Sequence, residues 1–195
     1  VVRYRQKGGE WLLGVKTAVQ LSGGLAERKE WERSGRPGDF DFAHVDQSAV
    51  RDFLEPLRDQ LQPAFVTHFQ RRSWLLEPRD GVRIELALDR GTIEAGDRRQ
   101  PICEIELELV SGAVGDLFDL ALALQATLPL HPEARSKSDR AYRLLADAPM
   151  IAAKALPVPV DAGMSSVSAF RRIALSCVSQ LQSNEKGILT TDAPE

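Results

Sequence analysis

Glu104, Glu106 and Glu108 alternate with apolar residues in the run Cys103-Glu104-Ile105-Glu106-Leu107-Glu108-Leu109. Successive side chains of a strand point to opposite faces, so the three glutamates share one face and Ile105, Leu107 and Leu109 the other. Like charges spaced roughly 6–7 Å apart along a face repel one another. A row of carboxylates suits a hard divalent cation, which prefers oxygen ligands. A second segment, Arg83-Ile84-Glu85-Leu86-Ala87-Leu88-Asp89, sets Arg83, Glu85 and Asp89 against Ile84, Leu86 and Leu88. Arg28, Glu30 and Glu32 share a face, as do Arg3 and Arg5, while Lys16 and Arg71 add cations in strands. Fixed cations of this kind suit phosphate oxygens. Both needs meet in a metal-bound polyphosphate, and a β-barrel with a polar lumen would set the two groups opposite each other. The plainer alternative is an antiparallel sheet with one wet face. That alternative fits any single strand, but an ordinary wet face would mix Lys or Thr among the three glutamates.

Other chemistries lack their residues. No Ser-His-Asp or Cys-His set and no Gly-rich phosphate loop is evident. His44, His68 and His131 are scattered, and Cys103 and Cys177 lie far apart, so neither zinc spacing nor a disulfide framework emerges. A reduced, cytoplasmic chain is the expectation. The 195 residues include 28 acidic and 25 basic side chains, a net charge of −3. That balance argues against a general nucleic-acid binder without excluding a local anion site. Trp11, Trp31 and Trp74 read as packing residues, because no basic stripe accompanies them. No apolar run reaches the roughly 20 residues that span a bilayer, and Val1–Arg5 is not laid out as a signal peptide. The chain opens inside a strand without an initiator Met, and so reads as a fragment.

The elements that must position these charges are mostly strands. Residues 2–7 and 10–18 flank the Lys7-Gly8-Gly9 turn, and a third strand spans 26–33 after the Gly23-Gly24 break. Residues 34–45 read as a loop. The period then changes: Val50, Phe53, Leu54, Leu57 and Leu61 predict a helix over 47–61, capped by Asp46 or Ser48. Strands follow at 63–77 and 82–89 around the Pro78-Arg79-Asp80-Gly81 turn, then at 91–97, and at 102–110 after Pro101. Helices are expected at 114–128, which Pro129 and Pro132 end, at 136–147, and at 166–184. In the last of these Phe170, Ile173, Ala174, Cys177, Val178 and Leu181 share a face. The fold class is therefore mainly β with α (α+β): an antiparallel β-barrel or tunnel with flanking helices, plus a C-terminal helix. Residues 1–147 form the β domain, 148–165 a Pro-rich linker, and 166–195 the start of a second domain, because a lone amphipathic helix needs a packing partner.

In chain order, the segments Val2-Arg3-Tyr4-Arg5, Gly14-Val15-Lys16, Gly23-Gly24-Leu25 with Arg28 and Glu30, Arg71 through Trp74, and Arg83 through Gly91 resemble one family. Pro101 through Leu109 with Ser111-Gly112, and Ser136-Lys137 with Arg140 and Tyr142, continue the match. The family is the CYTH domain, or triphosphate tunnel metalloenzyme superfamily, and the chain looks most like its bacterial inorganic triphosphatase branch, where CYTH precedes a CHAD domain. The resemblance covers about 1–147. It implies Mg²⁺ or Mn²⁺ held by Glu104 and Glu106, with Glu108 further out. It implies inorganic triphosphate or polyphosphate gripped by Arg3, Arg5, Lys16, Arg28, Arg71, Lys137 and Arg140. Glu85, Asp89 and Lys16 would serve catalysis, the two carboxylates orienting cations or holding a second metal. Hydrolysis would be in-line attack by water.

Adenylate cyclase and thiamine triphosphatase activities occur in the same family. A polyphosphate- or nucleotide-binding module without turnover is the alternative, and a half-polar interaction domain is a third. No nucleic-acid or membrane partner is expected, and a homodimer is admitted. The family's Glu-x-Glu-x-Lys strand would lie upstream of Val1, and its loss would remove metal ligands and expose a strand edge. Ala169-Phe170-Arg171-Arg172 and Gln182-Ser183-Asn184-Glu185 resemble the opening of a CHAD domain, a helical domain associated with polyphosphate.

Overall fold

A computed structural model of the chain describes residues 1–17, 20–22, 25–133, 135–148 and 152–190. It has two compact units, Val1–Pro63 with Ala152–Glu195, and Ala64–Ile151. All strand pairings are antiparallel among the described residues.

The first unit is built on β1 (Val2–Lys7), β2 (Glu10–Lys16) and β5 (Glu30–Ser34), paired in the order β1-β2-β5. Alternation sorts the side chains. Leu13 and Val15 point to a core completed by Phe42, Val45 and Leu54, with Val2, Tyr4 and Trp31 packed against it. Their strand neighbours Arg3, Arg5, Lys16, Glu30 and Glu32 therefore occupy the opposite face. The strand expected over 26–33 is two strands. β3 (Gln20–Ser22) and β4 (Leu25–Glu27) form a small hairpin of their own, and β5 starts afresh at Glu30. The Gly23-Gly24 break itself lies outside the described residues. The 34–45 segment is irregular as expected, yet it supplies Phe42, which is fully buried.

The helix expected over 47–61 stops early. α1 covers Ser48–Leu54, and a 3₁₀ helix continues over Glu55–Gln60. Pro56 is the physical reason, because it has no N–H to donate and its ring crowds the preceding turn. Neither Asp46 nor Ser48 caps the helix; Gln47 holds the cap position without a side-chain bond, and Asp46 accepts the Trp31 indole N–H at 2.8 Å. In the C-terminal segment, α4 (Ser166–Thr190) runs past the expected end at 184. Asn184 on α4 clamps the backbone of Ala153, accepting from its N–H at 2.7 Å and donating to its carbonyl at 3.0 Å. No helix among the described residues is long and apolar enough to cross a membrane.

The second unit is a sheet of three long strands, β6 (Val66–Arg79), β7 (Val82–Ala95) and β8 (Arg98–Ser111), in the order β6-β7-β8. The strands expected at 82–89 and 91–97 are one strand that runs through Gly91. A Cβ at Gly91 would lie 1.9 Å from the His68 carbonyl oxygen, so this close approach of backbones admits only glycine. Pro101 lies inside β8 rather than before it, which an edge strand tolerates because one side of its backbone needs no partner. Pro78 likewise falls inside β6, where the register shifts between Leu76 and Arg79.

Two helices flank this sheet. α2 (Val114–Gln125) ends three residues before its expected limit of 128. Its Asp116 accepts from the Ala113 N–H at 2.8 Å and from Arg79 Nη2 at 2.6 Å. α3 (Lys137–Leu145) starts at a capping box made by Ser136 and Asp139. Ala141 and Leu144 of α3 pack on Ile93 and Ile102, and Tyr142 meets Phe65 edge-on at 5.3 Å. The result is the α+β class expected, with antiparallel sheets, flanking helices and a C-terminal helix.

Candidate metal centre and anion-binding face

Register places the charges of the second unit. Arg71 on β6 stands opposite Asp89 on β7, and Asp89 opposite Glu104 on β8. One pair along the same face, Glu106 stands opposite Ala87, which is too small to cover it. α3 descends on this face. Lys137, Arg140, Ala141 and Leu144 are spaced i, i+3, i+4 and i+7, so the two cations share a helical stripe with the two apolar anchors.

The contacts are dense. Arg71 Nε and Nη2 donate to the two oxygens of Asp89, each at 2.7 Å, and Nη2 also donates to Glu106. Lys137 Nζ lies 2.7 Å from both Asp89 Oδ2 and Glu106 Oε1, and is also ion-paired with Glu104. Arg140 donates to Glu104 as well. Phe69 walls one side, with Lys137 Nζ at 5.2 Å and the Arg71 guanidinium at 5.8 Å from its ring. The cost of burial pushes the Asp89 and Glu106 carboxyls up, but hydrogen bonds from Arg71 and Lys137 outweigh it and hold both below the usual range. Burial likewise opposes the Lys137 charge, and the carboxylates more than compensate, raising its pKa. Bonding to Asp89 raises that of Arg71.

Asp89, Glu104 and Glu106 each present an oxygen, and these oxygens lie within 4.8 Å of one another. An all-carboxylate set at that spacing can hold a metal ion, and its oxygen donors suit a hard divalent cation. Three cations balance its three negative charges. Arg140 is almost wholly buried, and its Nε has no partner.

The charged face of the first unit is cationic in balance. Gly14 lies between Arg3 and Glu32 in register, and its missing Cβ leaves room for the two side chains to meet over it. Arg3 and Arg5 both pair with Glu32, while Lys16 and Arg28 both pair with Glu30. Four cations thus share two carboxylates. Burial lowers the pKa of Arg3 and Lys16, reinforced for Arg3 by Arg5 and for Lys16 by Arg3 and Arg28. The Nε atoms of Arg3 and Arg5 are buried without a hydrogen-bond partner. Unused N–H donors in a cationic face are capacity for an acceptor-rich anion.

Most expected site residues fall into these two groups. Asp89, Glu104, Glu106, Arg71, Lys137 and Arg140 come together in the second unit, and Arg3, Arg5, Lys16 and Arg28 in the first. Asp89 stands among the candidate ligands themselves. Glu85 and Glu108 face each other one pair further along the same sheet face. Neither carboxylate has an ion pair with another described residue. Phe69 was not anticipated; its place two residues before Arg71, on the same face of β6, is the signal that points to it.

The CYTH domain family model matches residues 1–142. The inorganic triphosphatase of Haemophilus influenzae is 36% identical over 143 residues, which are 73% of this chain and 40% of that protein. The chain thus spans less than half the length of this curated relative. The matched span contains both charged faces, and on these grounds the chain belongs to the CYTH domain family.

Proposed function

We propose that the chain acts as a metal-dependent inorganic triphosphatase, cleaving tripolyphosphate to pyrophosphate and phosphate. The observation that carries this reading is the joint placement of three carboxylates and three cations on one sheet face under α3. The family is one of metal-dependent enzymes, and the Haemophilus relative is named for triphosphate hydrolysis.

In this reading Asp89, Glu104 and Glu106 hold Mg²⁺ or Mn²⁺, which when bound supplies Lewis-acid stabilisation of charge on phosphoryl oxygens. Arg71, Lys137 and Arg140 bind phosphate oxygens beside the metal, Arg71 aimed by its two-point bond to Asp89, and on the first unit Arg3, Arg5, Lys16 and Arg28 form a phosphate-binding group of their own. Several fixed cations can offset the charge of a triphosphate where one could not. Water attacks the terminal phosphorus in line, the P–O bond to the bridging oxygen breaks, pyrophosphate leaves, and the proton that the water gives up passes to solvent. Preorganised cations stabilise the charge that develops during that displacement. Glu85 and Glu108 take outer positions.

Phosphate release from tripolyphosphate, ATP and thiamine triphosphate, each with Mg²⁺, Mn²⁺ or EDTA, tests the assignment. Tripolyphosphate is expected to be cleaved fastest and only with metal. Faster turnover of ATP or thiamine triphosphate would move the substrate assignment, and binding without release would make the chain a non-catalytic polyphosphate module.

A further inference from the structure

Lys137 Nζ touches all three carboxylates of the candidate metal centre, two of them at 2.7 Å. One compact cation with three carboxylate neighbours is the arrangement expected for a bound divalent ion. Two cations cannot share that point, because their repulsion grows steeply at such separations. The backbone that carries Lys137 is held in place. Lys137 is the first residue of α3, Ser136 caps that helix, and Ala141 and Leu144 pin it on Ile93 and Ile102. Any exchange must therefore come from the four-carbon side chain, which has the freedom to swing. The ammonium already lies 5.2 Å from the centre of the Phe69 ring, a surface along which it can move without losing all favourable contact.

Resting on the metal assignment above, we propose that Lys137 is a resident counter-ion that keeps the metal centre closed to a lone divalent cation. The ion enters by displacing the Lys137 ammonium from Asp89, Glu104 and Glu106, and the displaced ammonium passes to a phosphate oxygen of the substrate. The charges support the exchange. Asp89, Glu104 and Glu106 already balance Arg71, Lys137 and Arg140, so within this set of six groups metal alone leaves an excess of two positive charges and an ammonium without its three carboxylates, Glu85 and Glu108 lying one pair further along the face. A triphosphate arriving with the metal supplies the missing negative charge. Metal and polyanion then favour each other's binding, and the coupling is reciprocal.

The test is an EPR titration of free Mn²⁺ against the wild-type chain, Lys137→Gln, Lys137→Arg and Arg98→Gln, with circular dichroism confirming the fold of each. Arg98 pairs with Asp147 and provides the same change in net charge away from the three carboxylates. Lys137→Gln is expected to bind Mn²⁺ about tenfold more tightly than wild type, a factor within the usual range of coupled sites. Arg98→Gln should bind within about twofold of wild type, and Lys137→Arg, which keeps the counter-charge, should stay weak. In turnover, Lys137→Gln should need less Mn²⁺ but more tripolyphosphate for half-maximal rate. Equal or weaker Mn²⁺ binding by Lys137→Gln overturns the exchange while leaving the metal assignment standing. If Lys137→Gln does not fold, Lys137→Arg decides alone: binding tighter than wild type overturns the exchange, and binding as weak supports it. Absence of Mn²⁺ binding by every chain overturns the metal assignment and the exchange with it.

Discussion

Asp89 has no exposed surface, and its charge depends entirely on its partners. Arg71 bonds both of its oxygens, and Lys137 bonds one of them. Replacing the carboxylate by an amide leaves two cations facing a neutral group. Breaking a buried pair from one side is costly because the surviving charge stays desolvated, so Asp89→Asn should destabilise the chain by roughly 3 kcal/mol in urea unfolding. A loss below about 1 kcal/mol would mean that Arg71 and Lys137 are satisfied by Glu104 and Glu106 alone. At this scale much could be read from residue types. Strand alternation alone groups Glu104 with Glu106, and Glu85 with Asp89. It does not reveal that Asp89 rather than Glu85 joins the glutamates. That depends on the β7–β8 register, which pairs Asp89 with Glu104 and Glu85 with Glu108.

Strands and helices were legible wherever period and turn chemistry agreed. The Lys7-Gly8-Gly9 hairpin and the capped α3 match their expected places closely. Several misread boundaries share one cause, since Gly and Pro carry two meanings. Pro56 converts α-helix to 3₁₀, whereas Pro101 is absorbed by an edge strand and Pro78 by a register shift. Gly91 reads as a break but is a close approach of two paired backbones. Gly91→Ala should therefore cost about 3 kcal/mol, since a carbonyl oxygen 1.9 Å from the new Cβ cannot yield as a flexible side chain would. Unchanged stability in chemical unfolding would show that β6 can move aside.

The start of α2 makes a separate prediction. The Ala113 N–H and then the Arg79 guanidinium hold the Asp116 carboxyl below its ordinary value. A carboxyl whose folded pKa is depressed adds stability above its unfolded value, about 3.9 for aspartate, and that stability fades as pH falls through the folded value. Asp116→Asn should thus lower Tm near neutral pH, and the gap to wild type should close as pH drops below about 3.9. A gap that stays constant with pH would show that the asparagine loses packing rather than charge.

For the whole molecule, the distribution of charge says more than its total. A net charge of −3 hides one sheet face with a surplus of cations and another that holds a cluster of three carboxylates balanced by three cations. The alternating segments make both faces readable from residue types and spacing alone, and the resemblance they carry agrees with family membership over residues 1–142. The part played by α3 was harder to read, because Lys137 and Arg140 reach carboxylates more than 30 residues away in sequence. No local pattern encodes such a contact; it follows from the apolar stripe that seats the helix on the sheet.

The proposal that Asp89, Glu104 and Glu106 hold the metal for triphosphate cleavage stands or falls on Glu106. The most direct measurement is phosphate release from tripolyphosphate with Mn²⁺, comparing the wild-type chain with Glu106→Gln. Glu106 has a side chain 47% exposed, so its replacement leaves the core packing intact. Metal-dependent release by wild type and a fall of at least about a hundredfold in Glu106→Gln are expected, in line with losing a metal-site group. Undiminished release by Glu106→Gln would remove Glu106 from the metal site.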